Sequence, residues 1–132
     1  MANLAKKKIL SAPFANDKEM VRVEWDFAVD GGAVATYEML EAEGVMAVRM
    51  VHAYVVTAVT SGGSATFDVG VEAGADFLSN TAVASLTAGA LIDPATQAFK
   101  KLTDGQSLDF KIEVAAATAG KVAFILEIIR LA

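Results

Sequence analysis

The chain has 132 residues, of which 55% are apolar and 20% charged, a composition that supports one packed domain and excludes a disordered polymer. Its net charge of −5 argues against a nucleic-acid surface, which needs clustered Lys and Arg where this chain has only Lys6-Lys7-Lys8, and the lack of cysteine excludes disulfides and thiolate metal sites. No run is long enough for a membrane span, and no apolar segment follows the N-terminal lysines as a secretory signal requires.

Much of the apolar fraction is Ala and Val, small side chains that fill a layered sheet core more readily than a helical bundle. Residues 1–19 read as an arm or a first edge strand, with Lys6, Lys7 and Lys8 beside Ile9, Leu10 and Phe14; residues 20–132 read as the domain. Val21, Val23, Trp25, Phe27 and Val29 alternate with polar or small residues, which predicts a strand ended by Asp30-Gly-Gly32. Ala33–Leu40 predicts a second strand, with a helical turn over Tyr37–Glu43 as the alternative. Val45–Thr60 is long and β-branched and predicts a loop entry followed by a full strand.

The strongest local signal comes next. Tyr54–Thr60 and Ala65–Val71 are β-prone runs flanking Ser61-Gly-Gly-Ser64, which reads as a hairpin. Glu72–Asp93 breaks the pattern, and a helical turn near Asp76–Asn80 and a short strand around Val83–Leu86 are expected there. Pro94 stops structure, Ala95–Leu102 predicts a short strand, and Thr103-Asp-Gly-Gln106 a turn. Leu108, Phe110, Ile112 and Val114 then alternate with Asp109, Lys111 and Glu113. The final run, Val122–Leu131, is apolar on both faces, as suits a central strand or one facing a neighbouring subunit. Phe124, Leu126, Ile128 and Ile129 are its candidate interface residues. Roughly seven or eight short strands at about 8–12-residue spacing predict an all-β fold, a β-sandwich or jelly roll with Gly-rich turns.

Catalytic chemistry is thinly represented. His52 is the only histidine, and no Gly-x-Ser-x-Gly elbow or cluster of metal ligands accompanies it, so it reads as a strand residue on a polar face. Asp68, Glu72 and Asp76 lack the ligand density of a calcium loop and read as solvated carboxylates. Glu24/Asp26 and Asp109/Glu113 could supply a glycosidase pair, but the strand alternation already places each on a wet face. Trp25, in phase with Val23 and Phe27, reads as core rather than a sugar platform. No enzyme, cofactor or metal is expected.

Phe27-Ala-Val-Asp-Gly-Gly-Ala33, Val59-Thr-Ser-Gly-Gly-Ser-Ala-Thr66, Thr81-Ala-Val-Ala-Ser-Leu-Thr-Ala-Gly89 and Leu108–Leu131 around Thr118-Ala-Gly-Lys121 together resemble the capsid decoration (cement) proteins of tailed bacteriophages. The resemblance covers roughly residues 20–130 and carries no catalytic residues. It implies a protein made in the host bacterial cytoplasm that binds the major capsid protein outside the head and stabilises the shell as a homotrimer or dimer, without nucleic acid or membrane. Under that reading the arm, through Lys6, Lys7, Lys8, Ile9, Leu10 and Phe14, straps onto capsid subunits. The rival is a head-fibre or tail-associated module that binds a receptor or glycan, for which Tyr37, Phe77 and Phe99 are the candidate exposed aromatics.

Overall fold

The computed structural model describes Ala2, Asn3 and residues 18–132, so the arm residues Lys6, Lys7, Lys8, Ile9, Leu10 and Phe14 lie outside the described residues. The strands are β1 (Ala2–Asn3), β2 (Lys18–Asp26), β3 (Ala35–Glu41), β4 (Met46–Ser61), β5 (Thr66–Val71), β6 (Leu78–Ala82), β7 (Leu91–Ile92), β8 (Lys100–Leu102), β9 (Ser107–Glu113) and β10 (Ala117–Arg130). Sheet 1 has the order β1-β3-β9-β5-β6, and sheet 2 the order β2-β10-β4-β7, with β8 also on β4. Apart from the β5–β6 and β7–β8 links, successive strands from β2 onward lie in opposite sheets. This wrapping of β2-β10-β4-β7 over β3-β9-β5-β6 is a jelly roll, the fold class expected from the sequence.

The core follows from the alternation. Val21, Val23 and Trp25 of β2 face inward, as do Phe67 and Val69 of β5, Leu108, Phe110 and Ile112 of β9, and Phe124, Leu126 and Ile128 of β10. Aromatic rings join the sheets: Phe110 of sheet 1 lies 5.6 Å from Trp25 and 5.1 Å from Phe124, both of sheet 2, and stacks on Phe67 at 5.5 Å. Tyr37 meets Phe110 edge-on at 6.0 Å.

Several local expectations change. The first patterned strand stops at Asp26 instead of running to Val29. Asp26 Oδ1 accepts the Ala28 N–H at 3.0 Å and opens a one-turn helix, α1 (Phe27–Asp30), while Asp30 Oδ2 accepts the Asp26 N–H at 2.9 Å. Val29 is therefore three-quarters exposed. The stretch over Tyr37–Glu43 is strand, and a register shift between Glu38 and Leu40 lets both Met39 and Leu40 face the core. Within 72–93 the expectations reverse: Leu78–Ala82 is strand, and Val83–Ser85 is a 3-10 turn.

The largest correction concerns the expected hairpin. β4 and β5 do not pair: Ser61 is in register with Ala117 of β10, and Thr66 with Glu113 of β9 and Ala82 of β6. Residues 62–65 are a corner between sheets. A Cβ on Gly63 would stand 2.8 Å from the Ala115 Cβ, so the glycine is needed for close approach to the neighbouring corner.

Candidate interaction surface

One end of the sandwich gathers three inter-sheet corners: residues 31–34 between β2 and β3, 62–65 between β4 and β5, and 114–116 between β9 and β10. The Ala117 N–H donates to Gly32 O at 2.8 Å, and Ser61 Oγ donates to Ala116 O at 2.7 Å, which ties the corners together. Gly32 must be glycine, since a Cβ there would meet Ala117 O at 2.2 Å. The 31–33 segment is also held from inside. Trp25 Nε1 donates to Gly31 O at 2.9 Å, and Tyr37 Oη donates to Ala33 O at 2.7 Å. The core aromatics thus use their polar ends to fix the surface.

The corner sequences, Gly31-Gly-Ala-Val34, Gly62-Gly-Ser-Ala65 and Val114-Ala-Ala116, carry no charge. Val34 is 55% exposed and Val114 74%, and Val29 of α1 is exposed beside them. Val114 also holds φ at 74°, a left-handed conformation unfavourable for a β-branched residue. This tip is rigid, neutral and apolar, suited to contact with another macromolecule. The opposite end carries Glu43 and Asp104, both exposed, with Asp104 Oδ1 accepting the Gly44 N–H at 2.9 Å.

The outer face of sheet 2 holds a charged network. Glu127, on β10, accepts from Arg49 Nε at 2.6 Å and pairs with Lys18 Nζ at 2.8 Å. Those bonds, Lys18 first and then Arg49, hold the Glu127 carboxyl below the usual carboxylate range. Arg49 also donates to Gln97 and lies 5.4 Å over the Phe99 ring. Nearby, Tyr54 and Leu91 face each other across β4 and β7, both exposed.

The residues singled out in the sequence fall as follows. Phe124, Leu126 and Ile128 lie in the chain's own core and so cannot form a free subunit face; only Ile129 lies on the outward side, half-buried. His52 sits on β4 with Nδ1 3.1 Å from Asp93 Oδ1, on the polar face expected for it. Trp25 is core, with no exposed surface. Of the aromatics expected at loop tips, Tyr37 and Phe77 are buried, leaving Phe99 and, unanticipated, Tyr54 on the surface.

The carboxylates Asp68, Glu72 and Asp76 are acceptors for backbone N–H groups rather than simply solvated charges. Asp68 takes the Asn80 N–H at 2.6 Å, Glu72 that of Ser107 at 2.9 Å, and Asp76 that of Val71 at 2.8 Å. Asp109, expected on a wet face, is 1% exposed, covered by residues 72–76, with Oδ2 accepting the Ala73 N–H at 2.7 Å. Glu24 and Asp26 share Lys121, at 3.6 and 3.8 Å. Among the described residues no group of three or more His, Asp and Glu side chains could hold a metal ion, and no helix is long and apolar enough to cross a membrane.

The class defined here is a jelly-roll sandwich with a neutral tip of crossing corners. Among solved structures, a chain from the capsid of Ralstonia phage GP4 has the same fold, with a TM-score of 0.64 at 19% identity, over 95% of this chain and 99% of that one. A chain from the acidic stable capsid structure of Helicobacter pylori bacteriophage KHP30 matches with a TM-score of 0.57 at 18% identity, over 86% of this chain and 89% of that one. No family model matches the sequence, and no curated protein matches it.

Proposed function

We propose that this chain is a structural component of a bacteriophage virion, a decoration protein that binds the outside of the head through the major capsid protein and reinforces the shell. The observation that carries this reading is the end-to-end likeness to a chain from the GP4 capsid, which leaves almost nothing of either chain unmatched.

In this reading the neutral tip formed by the three corners meets the shell, and the N-terminal arm, with Lys6, Lys7, Lys8, Ile9, Leu10 and Phe14, straps onto adjacent subunits. Copies associate as a trimer or dimer at positions of local symmetry, where repeated weak contacts add to one another. The second reading, a fibre- or tail-associated binding module, draws on the exposed Tyr54 and Phe99 on the outer side of sheet 2.

The test is co-sedimentation of the purified protein with phage heads that lack it, alongside its mass by light scattering. Saturable binding at a copy number matching the shell's symmetry is the expected result. A stable soluble protein that leaves the heads bare, and instead binds glycans, moves the assignment to the second reading.

A further inference from the structure

The segment between β5 and β6 folds back over the outer face of sheet 1 and is fastened there by polar bonds. Ala73 N–H donates to Asp109 Oδ2 at 2.7 Å, and Lys111 Nζ donates to Ala73 O at 3.1 Å. Glu72 accepts from Ser107 N–H at 2.9 Å, and Asp76 accepts from Val71 N–H at 2.8 Å. The segment lies close because β5 carries glycine opposite Asp109: a Cβ on Gly70 would stand 2.4 Å from the Gly74 carbonyl carbon.

Asp109 is the unusual member. It is 1% exposed, and its Oδ1 is buried without a hydrogen-bond partner. A bare carboxylate oxygen in such a place is costly, and a neutral carboxyl far less so. Its charged neighbours do little to offset the cost. Glu72 and Asp76 belong to the covering segment, with Lys100 Nζ 4.0 Å from Asp76 Oδ1 on its far side, Asp68 lies on β5, and Glu38, on β3, is opposite in register. On its own strand, Lys111 is the one cation and is shared with Asp68 at 3.7 Å and Glu113 at 3.3 Å.

We propose that residues 72–76 form a proton-operated clasp on sheet 1, fastened when Asp109 carries a proton and loosened when it is ionised. Burial pushes the Asp109 carboxyl upward, against the pull of the nearby Ser107 hydroxyl and the Ala73 N–H, and the charge of Glu72 adds to the rise. The sign follows from linkage. A carboxyl whose folded value is raised contributes stability that is complete below its unfolded value, 3.8, and is lost as pH rises through the folded value. Glu113 is raised as well, first by its hydrogen bond with the Asp68 side chain and then by burial, and acts in the same direction. Opening the clasp uncovers Gly70 and the Asp68–Lys111 pair, so the outer face of sheet 1 changes with pH. The inference stands independently of the proposed virion role.

The experiment is amide exchange on the full chain, followed at Ala73 as a protection factor corrected for intrinsic rates, with the Asp109 side-chain carboxyl carbon titrated by NMR. Protection in the wild type should fall as pH rises, by about tenfold for each unit that Asp109 titrates above an ordinary Asp. Asp109→Asn keeps the acceptor for Ala73 and removes the charge, so it should hold the clasp shut, with protection at neutral pH equal to the acid wild type. Glu72→Gln, which keeps the acceptor for Ser107, should move the wild-type transition to lower pH and serves if the Asn variant does not fold. A flat wild-type profile, an Asp109 carbon titrating at or below the usual range, or an Asp109→Asn profile parallel to wild type overturns the proposal.

Discussion

Gly120 of β10 lies against Val59 of β4 so closely that a Cβ on it would stand 2.9 Å from the Val59 Cα. Its φ is 135°, and the β10–β4 register shifts across it, between Ala119 and Lys121, and on either side, between Ala117 and Ala119 and between Lys121 and Val122. The two longest strands are thus irregular where they approach the corner tip, and the irregularity depends on a missing side chain. Gly120→Ala should cost about 1–3 kcal/mol in urea unfolding, from overpacking together with the strained φ. An unchanged midpoint would show that the strand can regularise without loss.

Trp25 joins the sheets and fixes a corner, because its ring packs on Phe67 and Phe110 while Nε1 holds Gly31 O. Trp25→Ala should cost roughly 3–5 kcal/mol. Trp25→Phe keeps most of the apolar area but leaves Gly31 O without its donor, and should cost less while raising amide exchange across 31–34. Exchange across 31–34 that stays at the wild-type rate in Trp25→Phe would argue against a separate role for the indole N–H.

Glu127 gives a pH dependence opposite in sign to that of Asp109. Its folded carboxyl is held below the ordinary 4.5 by Lys18 and Arg49, so its contribution is present above that value and is lost as pH falls through the lowered one. Glu127→Gln should therefore lower Tm at pH 7, and its deficit against wild type should shrink as the pH drops below 4.5. A deficit constant across that window would assign the loss to packing.

The virion reading makes two separable predictions. Deleting residues 1–17, which keeps β2 and the Lys18–Glu127 pair, should abolish binding to heads while leaving the oligomer folded, as read by light scattering and circular dichroism. Undiminished occupancy after the deletion would dismiss the strap. Paired Val34→Asp and Val114→Asp substitutions, both at exposed positions and the second at a φ that Asp adopts more readily than Val, should not lower Tm, yet should weaken head binding. Unchanged binding would remove the tip from the docking surface.

Much of the sandwich was legible in the alternation of apolar residues. The bounds of β4 and β9 and the central place of β10 follow from runs whose side chains pack on one or both sides. The hairpin expectation at 54–71 fails for an identifiable reason. A Gly-Gly turn between two β-prone runs specifies a change of direction, and it reads the same whether the chain returns beside itself or crosses to the facing sheet. What decides is the pairing of Ser61 with Ala117 and of Thr66 with Glu113, more than 40 residues away in each case.

The surface was less legible. Asp109 has the phase of a solvent-facing residue, and only the return of the 72–76 segment buries it. Val29 has the phase of a core residue, but the Asp26 cap turns it outward. Phe124, Leu126 and Ile128 looked available because β10 is apolar on both faces, yet the opposite sheet takes them. Val34 and Val114 gave no signal, since exposure at a corner depends on which strands the corner joins.

The ladder between β4 and β10, paired from Ser61 and Ala117 at one end to Met46 and Arg130 at the other with register shifts between 117 and 122 and between 125 and 126, has a mechanical consequence. Tension along these two strands in opposite directions loads their rungs together rather than one at a time. Tension across the sheet would instead unzip them singly. The molecule is therefore stiff along one axis and weak across it, and the three-corner tip lies at an end of the stiff axis.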